Sequence, residues 1–545
     1  MGHDSESRRP RPSRGNLSGI SAAATRGIPS WFALVVGILV LAGLGCGPAE
    51  RARPPHVILI SIDTLRADHL GCYGYPRETS PAIDVLASRG VRFENAFSQA
   101  SWTLPSHMSV MTSQYASVHG VENDEVSLAE SVTTLAEAFR QGGYYTSAFV
   151  SWVYVGRSFG FAQGFDQFRE LINRDHLQMA SGGGAYRAEH VTGHVASWLD
   201  AYLKRTLDGE GVGEGVGGGP GEGAGGGDGQ DGGQPLFLFV HYFDPHMDYS
   251  PPPPYDTMFG SPYSGPAKGT HRYLSRYIKY FPVPPAQMPE RDREHVVALY
   301  DGEIRYTDDH LGRLLAFLDS KLDLDRCVVA LMSDHGEEFG DHGSMEGHGW
   351  TLYDEVIRVP LILRLPEGRA AGTVLGRPVE LIDLAPTLLS LASLDAPEGF
   401  QGEDLTRWIP GVGAPAGGVG EGVGNRAPGS ATGEGALIYA ENARFNIERQ
   451  AVRGPRFKLI RTSDTGQNLF GAPVRAGTEF FDVSRDPGEQ SDLAGSDHPV
   501  AAYLTRELAD FREHTARLAE SAPRGEPVDL APEDIELLRS LGYVR

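Results

Sequence analysis

Three short apolar runs lie far apart in the chain, and polar residues follow each of them directly. The runs are 57-VILISI-62, 236-LFLFV-240 and 327-CVVALM-332. Uninterrupted apolar runs of this length, with turn signals after them, are typical of strands buried on both faces of a mainly parallel sheet. We therefore predict an α/β fold in which helices flank a large central, mainly parallel sheet, with a smaller C-terminal α+β subdomain.

Acidic residues and histidines stand where these predicted strands end. Asp63 follows the first run, Asp244 and His246 follow the second, and Asp334 and His335 follow the third. Ligands of open α/β sheets bind beyond the carboxyl ends of the strands, so we expect these side chains to converge. Each one alone has a structural explanation, because an aspartate after a strand is most often a turn former or a helix cap.

The segment 333-SDHGEEFGDHGSMEGHG-349 strengthens the case for a metal site. It contains Asp334, His335, His342 and His348 in a Gly-rich stretch that is too polar to be buried without partners. Carboxylates combined with imidazole suit a divalent cation. The imidazole favours zinc, manganese or iron, while calcium and magnesium remain possible ions for such a site.

The segment 103-TLPSH-107 has the pattern of a helix start. Thr103 suits an N-cap, and Pro105 suits the first turn, where its missing N–H costs nothing. Structure alone would explain this pattern. Free N–H groups at a helix start also hold phosphate or sulfate, and a hydroxyl there that touches a divalent metal is a candidate nucleophile.

The N-terminus has the anatomy of a bacterial export signal. Several arginines precede the apolar stretch 31-WFALVVGILVLAGLGCG-47, which is short for a transmembrane helix. Its end, 41-LAGLGC-46, resembles a lipoprotein signal in which Cys46 is acylated; a plain signal peptide and an uncleaved anchor are the alternatives. We expect an extracytoplasmic protein, held on a membrane by a lipid on Cys46.

Composition divides the rest of the chain. Two Gly-rich segments, an insertion at 208–234 and a linker at 411–435, offer almost nothing to bury and are predicted to be disordered. Around them we predict a signal at 1–46, a catalytic domain at 55–400 and the C-terminal subdomain at 436–545. Helical periodicity predicts helices over 132–143, 296–322 and 531–545, the last as a docking helix.

The formal net charge of −23 limits the partners of this protein. Such a charge repels polyanions at long range, which argues against a nucleic-acid partner. An anionic substrate would have to be attracted by a local positive site, and we expect the metal ion to supply it.

Several segments, spread over most of the chain after the signal, form one set. They are 57-VILISIDTLRADHLGCYGY-75, 103-TLPSH-107, 237-FLFVHYFDPHMDYSPP-252, 334-DHG-336, 347-GHGWTLYDEVIRVPLIL-363, 456-RFKLI-460 and 480-FFDVSRDPGEQSDLA-494. Together they resemble the sulfatase family of the alkaline phosphatase superfamily. The resemblance implies that two of them carry metal-ligand residues, that one ends in a substrate-contacting histidine and that the last is a C-terminal signature. It also implies an alkaline-phosphatase-like fold and a metal-dependent enzyme that acts on anionic esters.

The chain departs from that family at several positions. Thr103 stands where formylglycine-dependent sulfatases carry the Cys or Ser that becomes an aldehyde hydrate, so no formylglycine is expected. Thr64 replaces a second Asp ligand, His107 replaces an Arg and His348 replaces a Lys. His335, where Asn is common, is similar to the phosphonate monoesterase and diesterase branches. The departures favour a Thr-nucleophile hydrolase of a phosphodiester, a phosphonate monoester or a sulfate ester.

These observations lead to a hypothesis for the mechanism. We predict that Asp63, Asp334, His335 and the oxygen of Thr103 surround one divalent metal, and that Thr103 attacks the ester in line. A second metal would need further ligands, and the sequence does not choose among the candidates Asp301, Asp308, Asp309 and His310.

Four more residues are predicted to serve the substrate. His246 and His348 are expected to hold it or to protonate the leaving oxygen. His107 and Asn123 are expected to contribute to substrate binding.

Two other functions compete with hydrolysis. The first is a phosphoethanolamine-type transferase that passes the Thr103 adduct to a lipid or glycan; such transferases usually carry several membrane spans, whereas this chain has one short apolar segment. The second is a non-catalytic binding lipoprotein, which the intact set of predicted metal ligands disfavours.

Overall fold

The computed structural model describes residues 53–172, 186–207, 234–279, 287–345, 348–413, 436–540 and 543. The predicted signal, with Cys46, lies outside these residues, as do nearly all of the two Gly-rich segments. Within the described residues, no helix combines the length and the apolar character that crossing a membrane requires.

A central sheet of nine strands forms the framework of the described catalytic region. Its strands are β1 (His56–Ile62), β2 (Val91–Phe97), β3 (Tyr145–Val150), β4 (Gln167–Glu170), β5 (Leu236–Tyr242), β6 (Cys327–Met332), β7 (Arg358–Arg364), β8 (Thr373–Leu375) and β9 (Val379–Glu380). The order is β4-β3-β5-β1-β6-β7-β2-β8, and β9 pairs with β2. Only β7 runs antiparallel to its neighbours among these strands, so the predicted mainly parallel sheet is confirmed.

Helices cover both faces of this sheet. They are α1 (Pro81–Ser88), α2 (Thr103–Thr112), α3 (Ala116–His119), α4 (Leu135–Gln141), α5 (Ala188–Leu207), α6 (His271–Leu274), α7 (Glu290–Leu322), α8 (Asp354–Ile357) and α9 (Leu384–Leu391). Successive side chains of β1 enter different cores: Val57 and Leu59 pack with α2, α4 and α9, whereas Ile58 and Ile60 pack with α1, α5 and α7. Because a strand alternates its side chains, a run that is apolar throughout needs both layers.

The predicted helices at 132–143 and 296–322 are both present. In α4, Thr134 accepts a hydrogen bond from the N–H of Glu137 as part of a capping box, and the helix ends at Gly142. The second helix, α7, begins six residues before the predicted start, at Glu290.

The C-terminal subdomain is an antiparallel sheet with a helix packed on it. Its elements are β10 (Ile438–Asn442), β11 (Arg449–Arg453), β12 (Phe457–Thr462), β13 (Gly466–Gln467), β14 (Pro473–Val474), β15 (Gly477–Asp482), α10 (Pro499–Ser521) and α11 (Pro532–Ser540). The larger sheet has the order β10-β11-β12-β15. The predicted α+β subdomain is therefore confirmed.

The last described helix, α11, attaches to the catalytic domain. Leu537 and Leu538 are buried in the core that contains α2 and α4. Ile535 of the same helix is only half-buried. The docking helix is confirmed over 532–540, and Tyr543, which is described beyond it, lies close to the strand ends.

Candidate active site

Neighbouring strands bring most of the predicted site residues together. β1 pairs in parallel with β5 on one side and with β6 on the other, so the three strand ends meet at one edge. Asp63 directly follows β1, and Asp334 and His335 follow β6. Asp244 turns elsewhere: its carboxylate accepts a hydrogen bond of 2.6 Å from the N–H of Ala188, the first residue of α5.

Two buried carboxylates face one imidazole at this edge. His335 Nε2 lies 3.3 Å from Asp334 Oδ2 and 3.8 Å from Asp63 Oδ1, and the three side chains have no exposed surface. No described residue hydrogen-bonds Asp63 Oδ1 or Asp334 Oδ2. Burial raises the pKa of Asp63 to about 8, and burial together with the Asp63 charge raises the pKa of Asp334.

These atoms fit a divalent cation. One ligand atom from each of Asp63, Asp334 and His335 lies within 4.8 Å of the others. His335 Nδ1 lies 2.9 Å from the carbonyl oxygen of Gly336 and donates to it, so Nε2 keeps its lone pair for a metal. Buried carboxylate oxygens without donors are costly, and a cation between them removes that cost.

Thr103 lies next to the same atoms. Its Oγ1 is 3.4 Å from Asp63 Oδ2 and 3.3 Å from His335 Nε2. The prediction that Thr103 caps the helix is wrong: the N-cap is Trp102, and Thr103 is the first residue of α2. Its hydroxyl is directed at the charged groups instead of at the helix N–H groups, while Pro105 does occupy the first turn.

Thr64 forms a strained turn between β1 and the site. Its φ is +54°, in the left-handed region that β-branched residues rarely adopt. Its N–H donates to Asp334 Oδ1 over 3.3 Å, and its carbonyl accepts a hydrogen bond of 2.7 Å from the Tyr300 hydroxyl. The turn therefore orients the carboxylate of Asp334.

His107 lies beneath Thr103 and not in an open cleft. Its Nδ1 is 2.9 Å from the carbonyl oxygen of Thr103, and its Nε2 is 2.8 Å from Ser61 Oγ. The ring has no exposed surface, and burial together with nearby His241 holds its pKa well below the usual value. These contacts make His107 a support for the backbone of the helix start, and the predicted contact with substrate stays a prediction.

His246 and His348 form a second group beside the carboxylates. The ring centroids of the two histidines are 4.9 Å apart, and His348 lies 4.8 Å from the ring of His335. His348 Nδ1 is 3.1 Å from a carboxylate oxygen of Glu337. Burial lowers the pKa of His246 to about 3, with a further contribution from the His348 charge.

Asn123 is not brought into this group. Its side-chain oxygen accepts a hydrogen bond of 3.0 Å from the N–H of Glu125 in a surface turn, and the residue is half-buried. None of the contacts of Asn123 within the described chain reaches Thr103 or the metal-ligand candidates.

Sequence reasoning missed three members of the site. His241 lies inside β5 with its Nε2 3.4 Å from Asp63 Oδ2, and a histidine within an otherwise apolar strand was the signal that could have found it. Glu337 lies in the segment 333–349, but its role depends on its contact with His348. Tyr543 reaches the two histidines from the far end of the chain, and no local pattern marks it.

The other acidic and histidine candidates have structural partners. Asp301 binds His69, Tyr75 and Arg77, and Asp308 accepts from the N–H groups of Ala82 and Ile83 at the start of α1. His342 contacts Glu355 Oε1 through Nδ1 over 2.5 Å. These residues lie apart from the carboxylate pair.

Comparison with known proteins places this geometry in context. The family model described as Sulfatase matches residues 55–394 of the chain. Among the curated relatives, the uncharacterized sulfatase YidJ of Escherichia coli strain K12 is 24% identical over 460 residues, which cover 81% of this chain and 83% of the relative.

Two solved structures share the fold. A structure in complex with its substrate D-glucosamine-2-N,6-O-disulfate has a TM-score of 0.62 and 19% identity, and the match covers 86% of this chain and 98% of that one. The phosphonate monoester hydrolase of Agrobacterium radiobacter has a TM-score of 0.60 and 21% identity, with 88% of this chain and all of that one covered.

Proposed function

This chain belongs to the sulfatase family and is a sulfatase-like ester hydrolase, and we propose that it cleaves its ester with one divalent metal and with Thr103 as the nucleophile. The observation that carries the proposal is the position of Thr103 Oγ1, 3.3 Å from His335 Nε2 and 3.4 Å from Asp63 Oδ2. The hydroxyl lies beside two buried carboxylates and an imidazole, a donor set that a divalent cation would join.

Asp63, Asp334 and His335 would hold the metal, with Thr103 completing the group. A divalent cation held there would lower the cost of forming the Thr103 alkoxide and would stabilise charge on the non-bridging oxygens of the ester. Zinc, manganese or iron fits the mixed carboxylate and imidazole set best, and calcium or magnesium is the alternative.

Thr103 then attacks sulfur or phosphorus on the side opposite the leaving oxygen. A bond forms between Thr103 Oγ1 and the central atom while the bond to the leaving oxygen breaks. His246 and His348 lie beside the metal ligands, where one of them can give a proton to that oxygen. The free N–H groups at the start of α2 face the anion.

Water completes the reaction. Thr103 has a single hydroxyl and cannot form the aldehyde hydrate of formylglycine enzymes, so no second hydroxyl expels the product. Water must attack the covalent adduct at sulfur or phosphorus, which releases Thr103. Hydrolysis of this kind suits a sulfate ester, a phosphodiester or a phosphonate monoester.

Two further observations support a substrate class. Proteins of similar fold include examples for both sulfate and phosphonate esters, since one solved neighbour holds a sulfated sugar and another is a phosphonate monoester hydrolase. The net charge of −23 requires a compact positive site for any anionic ester. We propose an anionic ester of a small molecule, glycan or lipid headgroup as the substrate.

The test compares four esters on the full chain purified in detergent. Aryl sulfate, phosphate monoester, phosphodiester and phosphonate monoester are offered after loading with zinc, manganese, calcium or magnesium. At least one ester should turn over, and Thr103→Ala should reduce its kcat/KM by a factor on the order of 10³. Thr103→Ser is the matched control, because it keeps a hydroxyl; activity in Thr103→Ala equal to that of the wild type would refute the nucleophile.

We also propose that the protein is exported and lipid-anchored at Cys46. The arginine-rich start, the apolar stretch 31–47 and the sequence 41-LAGLGC-46 support this. Cys46→Ala should move the protein from the membrane fraction to the soluble fraction or leave an unprocessed precursor. Unchanged processing and membrane attachment would argue for a different anchor.

A further inference from the structure

Tyr543 reaches the two histidines from the C-terminal end of α11. Its hydroxyl lies 2.5 Å from His246 Nε2 and 3.0 Å from His348 Nε2. Its N–H donates to the carbonyl of Leu538 over 2.9 Å, and Leu538 is fixed in the core. The backbone contact with Leu538 therefore fixes the position of the Tyr543 side chain at the site.

Both histidines offer their last ring nitrogen to this phenol. His246 Nδ1 is 2.9 Å from the carbonyl oxygen of Met247, and His348 Nδ1 is 3.1 Å from Glu337. Carbonyl and carboxylate oxygens only accept, so each Nδ1 carries a hydrogen and donates it. The two Nε2 atoms are therefore the ring nitrogens that can exchange a proton with the substrate, and the Tyr543 hydroxyl contacts both.

The surroundings of the ring explain its orientation. The Arg444 guanidinium lies 4.6 Å from the centroid of the Tyr543 ring, and Tyr154 meets the ring edge to face at 5.4 Å. Tyr543 is 7% exposed, and within the described chain its hydroxyl bonds only the two histidines. Packing holds the ring, which leaves the hydroxyl aimed at the Nε2 atoms.

A single hydroxyl can donate only one hydrogen. Between two Nε2 atoms it donates to one ring and can accept only from a ring that is protonated on both nitrogens, so the two histidines have different roles. The ring that accepts has no Nε2 proton to give, and the doubly protonated ring presents one. A departing ester oxygen needs such a donor.

We propose that Tyr543 is a positioning residue of the active site, which holds the Nε2 atoms of His246 and His348 where the leaving oxygen takes up its proton. The inference rests on the proposed function, because it assigns Tyr543 to the step in which the ester bond breaks. It makes Tyr543, from the C-terminal part of the chain, a member of the catalytic site.

Tyr543→Phe tests this role on the full, metal-loaded chain. The substrates are two aryl esters of the class that the wild type cleaves, one with nitrophenol and one with unsubstituted phenol as the leaving group. With phenol, kcat should fall between about tenfold and 100-fold, whereas with nitrophenol, which needs little protonation, it should fall less than about threefold. KM should stay within about threefold for both.

Controls separate the hydroxyl from the ring. Tyr154→Phe removes a hydroxyl of the same aromatic group that donates to Asp124 over 3.0 Å, and it should leave the ratio of the two kcat values unchanged. Tyr543→Ala should resemble Tyr543→Phe in that ratio. Because both esters are measured on one preparation, the ratio does not depend on the fraction of folded protein.

Several results would overturn the proposal. A higher kcat or a lower KM in Tyr543→Phe would mean that the phenol only blocks the site. Equal losses with both leaving groups, or a loss in Tyr543→Ala alone, would mean that Tyr543 only packs. If the wild type cleaves no ester, the proposed function fails together with this proposal; if the wild type is active and Tyr543→Phe behaves identically, this proposal alone fails.

Discussion

The two sides of the site are built in opposite ways. On the metal side, Asp63 and Asp334 lie fully buried, and no described residue hydrogen-bonds Asp63 Oδ1 or Asp334 Oδ2. On the leaving-group side, the ring nitrogens of His246 and His348 are all engaged, by Met247, Glu337 and Tyr543. A cation would stabilise the first side, whereas groups of the protein itself organise the second.

This difference predicts how a substitution on each side should affect function and stability. Removing a charge from the metal side relieves repulsion and desolvation in the folded protein while it destroys a ligand. Removing a partner from the leaving-group side leaves a donor or acceptor unpaired and loosens a ring. Function and stability should therefore change in opposite directions on the first side and in the same direction on the second.

The largest effect is expected from Asp63→Asn. The amide has the shape of the carboxylate but binds a metal poorly, so kcat/KM should fall by a factor on the order of 10³ or more. The metal-free protein should unfold at the same or a higher temperature, because burial raises the pKa of Asp63 to about 8 and thus disfavours its charge. Metal analysis and thermal unfolding check both parts; a large loss of stability would break the contrast.

Glu337→Gln should have a smaller effect, on the other side. Burial opposes ionisation of Glu337, but its contacts with His348, His246 and the Tyr249 hydroxyl together lower its pKa to about 2, so Glu337 is the charged partner of the His348 ring. The amide should reduce kcat by about 10-fold to 100-fold and leave the bound metal unchanged. Loss of metal in this variant would mean that the two sides are not separate.

The metal side should also make stability depend on pH. A carboxyl with a raised folded-state pKa stabilises the protein fully below its unfolded value near 4, and this contribution is lost as the pH rises to about 8. The unfolding temperature of metal-free protein should thus fall over that range. Metal should restore about 2.7 kcal/mol when its free concentration is about 100 times Kd. Asp63→Asn should show a flatter profile, and an equal slope in both proteins would contradict the assignment.

Asn123→Ala should have the smallest effect. Asn123 bonds the N–H of Glu125 in a surface turn, so its loss should change the free energy of unfolding by about 0.5 kcal/mol or less. Steady-state kinetics should show kcat/KM within about twofold of the wild type. A larger loss would restore the prediction that Asn123 binds substrate and would extend the leaving-group side.

The metal side could be predicted from sequence because each of its strands can be recognised from a short stretch of residues. Strands buried on both faces have a distinctive apolar pattern, and their carboxyl ends must meet at one edge, which brings Asp63 close to Asp334 and His335. Local sequence could not decide the orientation of the Thr103 side chain. Its hydroxyl could cap α2 or face the carboxylates, and the packing of α2 against the sheet determines which.

The leaving-group side could not be predicted in the same way. Tyr543 and His246 are 297 positions apart, and their contact depends on how α11 docks. Leu538 signals a buried helix face, but it carries no information on where the next residues point. Asn123 shows the converse, since a polar residue close to a site in sequence can belong to a surface turn.

The backbone conformation of Thr64 lowers the stability of the folded protein. A β-branched residue at φ +54° costs on the order of 1–3 kcal/mol, which glycine would not incur. Selection for heat resistance alone would therefore replace Thr64 early. The N–H that donates to Asp334 over 3.3 Å belongs to the backbone, so Thr64→Gly keeps this donor but lets the turn adopt other conformations. Such a variant would gain a longer lifetime and hold the Asp334 carboxylate less firmly, so tolerance to heat and catalytic efficiency compete at this single position.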